Sequence, residues 1–222
     1  MPGPVLRYGL DDLPGTLPVF PLTGVLLLPR GRLPLNIFEP RYLAMIDDSL
    51  RSHRLIGMIQ PLNDDNSDPP ALRAVGCAGR IISFNESEDG RYIITLGGIT
   101  RFRVGSELSA ATPYRQVQPQ FDEFAADLTP VKLSHDSIDR PRLLNALRRY
   151  LDANKLKADW AGIENAEIEG LVNSLCMISP FGPTEKQALL EAPGLRDRAD
   201  ALTTLIEMAL ADHFGSPTQN VQ

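Results

Sequence analysis

From Thr16 to Phe124 the apolar residues fall in short runs and alternations bounded by proline, glycine, asparagine or aspartate. That pattern predicts strands over Leu17–Leu22, Arg32–Phe38, Leu55–Gln60, Ala74–Asn85, Arg91–Leu108 and Tyr114–Phe121. Glu88-Asp89-Gly90 lies between Ile81-Ile82-Ser83-Phe84 and Tyr92-Ile93-Ile94, and it predicts a hairpin because Gly90 tolerates the positive φ of a tight turn. Gly97-Gly98, inside the second long strand, predicts a bulge or sharp bend of the kind that curls a sheet. One helix interrupts the strands. Pro40 suits its first turn, Leu43, Met45-Ile46 and Leu50 follow at helical spacing, and Arg51 and His53 stand at its end. The polar stretch from 63 to 70 predicts an exposed loop.

Beyond about residue 128 the apolar period lengthens to that of a helix. Asp139 can cap a helix with Pro141 in its first turn, and Leu143, Leu144, Leu147, Tyr150 and Leu151 form its apolar stripe. Ile168, Leu171, Val172, Leu175 and Cys176 form a second stripe, and Thr184-Glu185-Lys186-Gln187 predicts a capping box for a third, short helix. Ala199, Leu202, Leu205, Ile206, Ala209 and Leu210 make a fourth stripe that ends before Gly215. The fold class is therefore a segregated α+β arrangement, with a β-rich part over 1–125, a helical bundle over 126–215 and a fraying tail over 216–222.

Composition narrows this picture. With 222 residues, 43% hydrophobic and 23% charged, the chain has the balance of a globular protein, which excludes disordered and disulfide-scaffold classes. Eleven of its 19 prolines fall in the first 70 residues, as short strands and turns require. The 22 basic residues face 28 acidic ones, and neither half is basic, which argues against a nucleic-acid backbone as partner. Cys77 and Cys176 are too isolated for a disulfide framework or a zinc knuckle, and no metal or cofactor is expected. The longest apolar run, Tyr42 to Ile46, is far too short to span a bilayer, and the first residues lack the blocks of a signal peptide. The expectation is a cytoplasmic protein without a membrane partner.

No catalytic motif stands out. Lys132, Lys155, Lys157 and Lys186 never follow a glycine, so there is no phosphate-binding P-loop, and the dinucleotide, nucleophile-elbow and zinc-protease patterns are absent. Ser134-His135-Asp136 are adjacent in sequence, so their side chains diverge and cannot align as a triad. The pairs Asp47-Asp48 and Asp64-Asp65 suit a solvated helix face and a polar loop.

The string Leu17-Pro18-Val19-Phe20-Pro21-Leu22, with Pro29, Leu35 and then Ile37-Phe38-Glu39-Pro40-Arg41-Tyr42, resembles the opening of the Lon protease N-terminal domain family, in particular its stand-alone bacterial members. Val75-Gly76, Gly79, Ile81, Asp89-Gly90-Arg91 and the run Gly97-Gly98-Ile99-Thr100-Arg101-Phe102-Arg103-Val104 follow the same pattern. So do Gln187, Leu189-Leu190-Glu191, Arg198 and Leu202 in the helical half, and the resemblance runs from Leu17 to Leu210. It implies a curled, barrel-like (PUA-like) β subdomain with one helix, followed by a helical bundle. It also implies recognition of protein substrates without cleavage, because the P-loop ATPase and serine-lysine protease parts of a full Lon find no counterpart in this sequence.

Two groups of residues are candidates for binding a polypeptide segment or a protein partner, a Lon-related one included. Phe38, Glu39, Arg41 and Tyr42 surround Pro40 at a strand-to-helix corner that can border an apolar groove; equally, Phe38 and Tyr42 can fill the core while Glu39 faces the helix dipole and Arg41 pairs locally. Arg101, Phe102 and Arg103 alternate along a strand, so that with Phe102 and Val104 inward both arginines face out, toward a partner or toward the helical part. The alternatives are a small hydrolase, motivated by Ser134 and His135, and an RNA-binding module built on the curled sheet, motivated by Arg101 and Arg103.

Overall fold

The computed structural model describes residues 8–62, 69–129 and 138–215. Residues 63–68 of the predicted loop, Ser134-His135-Asp136 and the predicted tail lie outside the described residues. Six strands form one mixed sheet: β1 (Leu17–Pro21), β2 (Arg32–Ile37), β3 (Leu55–Ile59), β4 (Val75–Glu86), β5 (Tyr92–Leu108) and β6 (Gln116–Gln120). Helix α1 (Pro40–Arg51) connects β2 to β3, and the second half carries α2 (Arg140–Ala153), α3 (Trp160–Asn165), α4 (Ile168–Ile178), α5 (Pro183–Glu191) and α6 (Leu195–Gly215).

The strand order is β2-β5-β4-β3-β1-β6, and β6 also pairs with β5, which curls the sheet into the barrel-like form that the sequence implies. β1 and β3 run parallel, joined by the β2–α1 crossover, and the other pairings are antiparallel. The curl comes from extra residues. Ile99 is additional between the pairs Ala78–Thr100 and Gly79–Gly98, as the Gly97-Gly98 pair predicts, and Ile82 and Gly105 are additional at two further register shifts. A Cβ on Gly98 would lie 2.0 Å from the Leu28 carbonyl oxygen, so glycine is required there for the loop before β2 to lie against β5.

Alternation along the curled strands separates two interiors. One set, Leu17, Val19, Leu55, Ile59, Ala78, Phe102 and Val117, fills the inside of the curl, with Gly57 and Gly76 leaving room for the Phe102 ring. The other set runs without interruption from Phe20, Ile56, Cys77 and Leu96 of the sheet through Tyr42 and Met45 of α1 to Leu143, Val172, Leu189 and Leu202 of the helices. The β-rich and helical parts therefore share one apolar interior.

A buried polar network fastens the same two parts. Arg101, only 5% exposed, sets its guanidinium against the Asp127 carboxylate at 2.8 and 2.9 Å, and Asp127 also accepts the Arg101 backbone N–H. The remaining guanidinium hydrogens go to the carbonyls of Leu190, Ala192 and Pro193, while Arg198 donates to the Leu189 carbonyl and to Asn173. These are the carbonyls that the end of α5 leaves without helical partners, and two cations suit the negative pole of that helix. Burial, then the nearby Arg101 charge, lowers the Arg198 pKa from its ordinary value. Asn173 donates to Pro29, and Arg30, in a left-handed conformation, reaches both Glu169 and the Asp127 carbonyl.

One helix start departs from expectation. α5 begins at Pro183, preceded by Gly182, and no capping box forms at Thr184. Proline needs no N–H partner at a first turn, and Gln187 is drawn into the sheet contact, where it donates to the Val75 carbonyl and accepts from Gln60. Asp139 does cap α2, accepting from the Arg142 N–H. The short α3 carries no apolar stripe long enough to read.

Two stability predictions follow from this packing. Asp127→Ala should destabilise the fold by about 3–5 kcal/mol in denaturant unfolding, because it strands a buried guanidinium, whereas Asp127→Leu with Arg101→Met should recover much of that loss. Gly76→Ala places a Cβ 2.7 Å from the Met58 carbonyl and from the Phe102 ring and should cost about 1–3 kcal/mol, whereas Gly170→Ala, on α4 with no atom within 4 Å of the added carbon, should stabilise by about 0.5–1 kcal/mol.

Candidate functional site

The strand-to-helix corner forms because Ile37 ends β2 facing the core and Pro40 starts α1. Phe38, between them, emerges to solvent with 63% of its surface exposed. Glu39 precedes the helix without a side-chain cap and instead pairs with Arg41 at 2.7 Å. Arg41 lies over the Tyr42 ring at 4.6 Å, and Tyr42 itself is buried with its ring centroid 4.1 Å from that of Phe20. Burial, against the charge of Arg41, raises the Tyr42 pKa. The corner borders a cleft of about 150 Å3 whose walls are Tyr42, Tyr114, Arg41, Arg115 and a set of prolines. Tyr114 donates to Asp48 at 2.8 Å, and burial first, then that carboxylate, pushes its phenol up to about 12.

The second candidate group is divided by the fold. Phe102 is enclosed inside the curl and Arg101 is enclosed in the Asp127 network, so neither presents a surface. Of the two readings for Arg101, a partner or the helical part, the structure gives the second: the 3-10 segment Asp122–Leu128 lies along β5 and delivers Asp127 to that strand face. Arg103, two residues on, is exposed and holds Glu123 at 2.8 and 2.9 Å. Both arginines that motivate an RNA reading are thus matched by carboxylates.

Other apolar side chains stand exposed near Phe38. The β4–β5 hairpin runs past the last β3 pairing at Leu55–Arg80, so β4 has no strand on its outer side from Ile81 onward among the described residues. Ile82, Phe84 and Ile93 are exposed there. Ile93 lies opposite Asn36 and Asn85, Ile37 lies opposite Tyr92, and Phe38 comes next along the chain. Composition and motif reading pass over these three residues. The signal for them is the run Ile81-Ile82 and the run Ile93-Ile94, where apolar residues at consecutive positions must face both sides of a strand.

The described residues offer little to other chemistries. No group of three His, Cys, Asp or Glu side chains among them is placed to hold a metal ion, and none of the described helices is long and apolar enough to cross a membrane. Burial raises the thiol pKa of Cys77 and pushes that of Cys176 up to about 12, which leaves both as unreactive thiols. His53 uses Nδ1 to accept the Leu55 N–H, and burial lowers its pKa.

Residues 16–208 match the family model of the ATP-dependent protease La (LON) substrate-binding domain. The chain is 27% identical over 207 residues to a Lon protease of Anaeromyxobacter dehalogenans, covering 92% of this chain and 24% of that protein. It is 26% identical over 199 residues to Lon protease 2 of Myxococcus xanthus, covering 88% of this chain and 24% of that protein. The chain thus spans about a quarter of the length of these relatives. Among solved structures it is similar to a Lon N-terminal domain protein from Xanthomonas campestris, with a TM-score of 0.58, 22% identity, and 85% of this chain and 97% of that one covered. The N-terminal domain of a Mycobacterium avium complex Lon protease gives a TM-score of 0.62 at 17% identity, with 86% and 98% covered. The sheet and helices described above are thus the fold of those domains, and the chain belongs to the LON substrate-binding domain family.

Proposed function

We propose that this protein is a non-catalytic recognition module that binds unfolded or extended polypeptide segments, and that the segments lie on the distal end of the sheet. The supporting observation is the exposure of apolar side chains on both faces of one end of the sheet, Ile93 on one face and Phe84 on the other. Eight large hydrophobic residues are exposed among the described residues, and four of them, Phe38, Ile82, Phe84 and Ile93, belong to this one end, each between 42% and 63% exposed. A folded chain gains nothing by leaving such groups in water, and exposed apolar surface of this kind marks interaction sites. Glu39 and Arg41 border the patch, Tyr42 supports the corner from within, and Arg103 lies outside it. The outer edge of β4 beyond Ile81, whose N–H donates to the Arg54 carbonyl, pairs with no strand among the described residues and adds backbone donors and acceptors that an extended segment can pair with.

Binding of a labelled, permanently unfolded model protein, followed by fluorescence anisotropy, tests this reading. Phe38→Ser with Ile93→Ser should weaken binding at least about tenfold while melting within a few degrees of the parent, because exposed side chains contribute little to stability. Met208→Ser, which alters an exposed apolar residue on α6, should leave binding unchanged. Absence of saturable binding, or loss on altering Met208 but not the hairpin pair, overturns the proposal.

A further inference from the structure

The distal hairpin has two faces, and the one toward α1 carries charge as well as apolar surface. Pairing of Glu86 with Tyr92 and of Phe84 with Ile94 puts Phe84, Glu86 and Tyr92 on the same face. Phe84 and Tyr92 meet edge to face with centroids 4.9 Å apart, and Phe84 still keeps much of its ring in solvent. The Tyr92 hydroxyl donates to Asp47 of α1 at 3.1 Å. Burial, then the bond to Asp47 and the charges of Asp47 and Glu86, raises the Tyr92 pKa against the opposing charge of Arg51.

The charges around this face do not cancel. Arg41 is matched by Glu39, Arg91 by Asp89 at 2.8 Å, and Arg51 by Asp48 at 3.3 Å. Asp47, Glu86 and Glu88 have no ion-pair partner among the described residues, which leaves a surplus of carboxylates around the exposed Phe84 and the half-buried Tyr92. An apolar patch alone would accept any greasy segment. Aromatic rings flanked by unmatched carboxylates favour a cation on a long apolar stem, because the stem can lie on the ring while the charged head meets the carboxylates.

Building on the reading above, we propose that the α1-facing side of the hairpin, at Phe84, Tyr92, Asp47 and Glu86, receives a lysine or arginine side chain, and that the polypeptide segments bound here are apolar segments with basic flanks. Electrostatic complementarity of this kind adds selectivity to an apolar contact and disfavours acidic segments by like-charge repulsion.

Three labelled peptides with one apolar core and lysine-arginine, neutral or glutamate flanks test the proposal by anisotropy at low and near-physiological salt. The basic peptide should bind about tenfold more tightly than the glutamate peptide at low salt, and the gap should shrink as salt screens the exposed carboxylates. Asp47→Asn with Glu86→Gln, which keeps the Tyr92 hydrogen-bond acceptor, should reduce the gap to threefold or less with the neutral peptide unchanged and the melting temperature held. Equal binding of the basic and acidic peptides, or a gap that survives the double variant, overturns the charge preference and leaves polypeptide recognition standing. Failure of all three peptides to bind saturably overturns both.

Discussion

The buried pair of Arg101 and Asp127 is the constraint on which the arrangement of this molecule depends. One guanidinium joins the middle of the longest strand, the 3-10 segment that follows the sheet, and the end of α5. A charge so enclosed is tolerable only because each hydrogen finds an acceptor, and the acceptors come from two separate parts of the chain, Asp127 and the carbonyls at the end of α5. Arg198, Asn173 and Arg30 extend the contact across the same seam. The apolar interior that runs through both parts supplies attraction without direction, and the polar network supplies the orientation.

Holding the helices against one end of the sheet leaves the other end bare. α5 contacts β4 near its start, and Gln187 donates to the Val75 carbonyl there. Among the described residues the far end of β4 and the start of β5 receive no such cover from α5, and α1 reaches one of their faces through Tyr92 and Asp47. The exposure of Ile82, Phe84 and Ile93 on the hairpin is therefore a consequence of how the chain is fastened: the seam fixes which part of the sheet is covered and which part stays open to the proposed partner. Rigid support beneath an exposed apolar patch lowers the ordering cost of binding, which suits a surface that accepts segments of varied sequence.

Much of the fold was legible because local signals and the tertiary structure agree. Prolines and the Gly90 turn delimit strands whose observed bounds lie within about two residues of those read from the pattern, and Gly97-Gly98 marks the bend that curls the sheet. Thr184 shows where local reading fails. Its capping pattern is correct as chemistry, but Gln187 has a better use as a bridge to Val75 and Gln60, and only the packed structure reveals it. The candidate site was legible in part. Phe38 lies on the exposed end, whereas Arg101 and Phe102 are conspicuous in sequence because the interior needs them. Alternation gives the two faces of a strand but does not say which of the two readings, a partner or the helical part, holds for Arg101, nor that Asp127 is the carboxylate it meets. Ile82, Phe84 and Ile93 were missed because an apolar residue exposed on a hairpin and one buried in a core look alike until it is known which parts of the sheet the rest of the chain covers.

Isoleucine-methyl NMR during titration with an unfolded model protein separates the proposed surface from the rest of the molecule most directly. Ile82 and Ile93 stand on the hairpin, Ile178 stands exposed at the end of α4, and Ile46, Ile56 and Ile206 are buried. Recognition at the distal hairpin predicts saturable shifts of the Ile82 and Ile93 methyls while Ile178 and the buried methyls hold still. Shifts confined to Ile178, with the hairpin methyls unmoved at saturation, would contradict it.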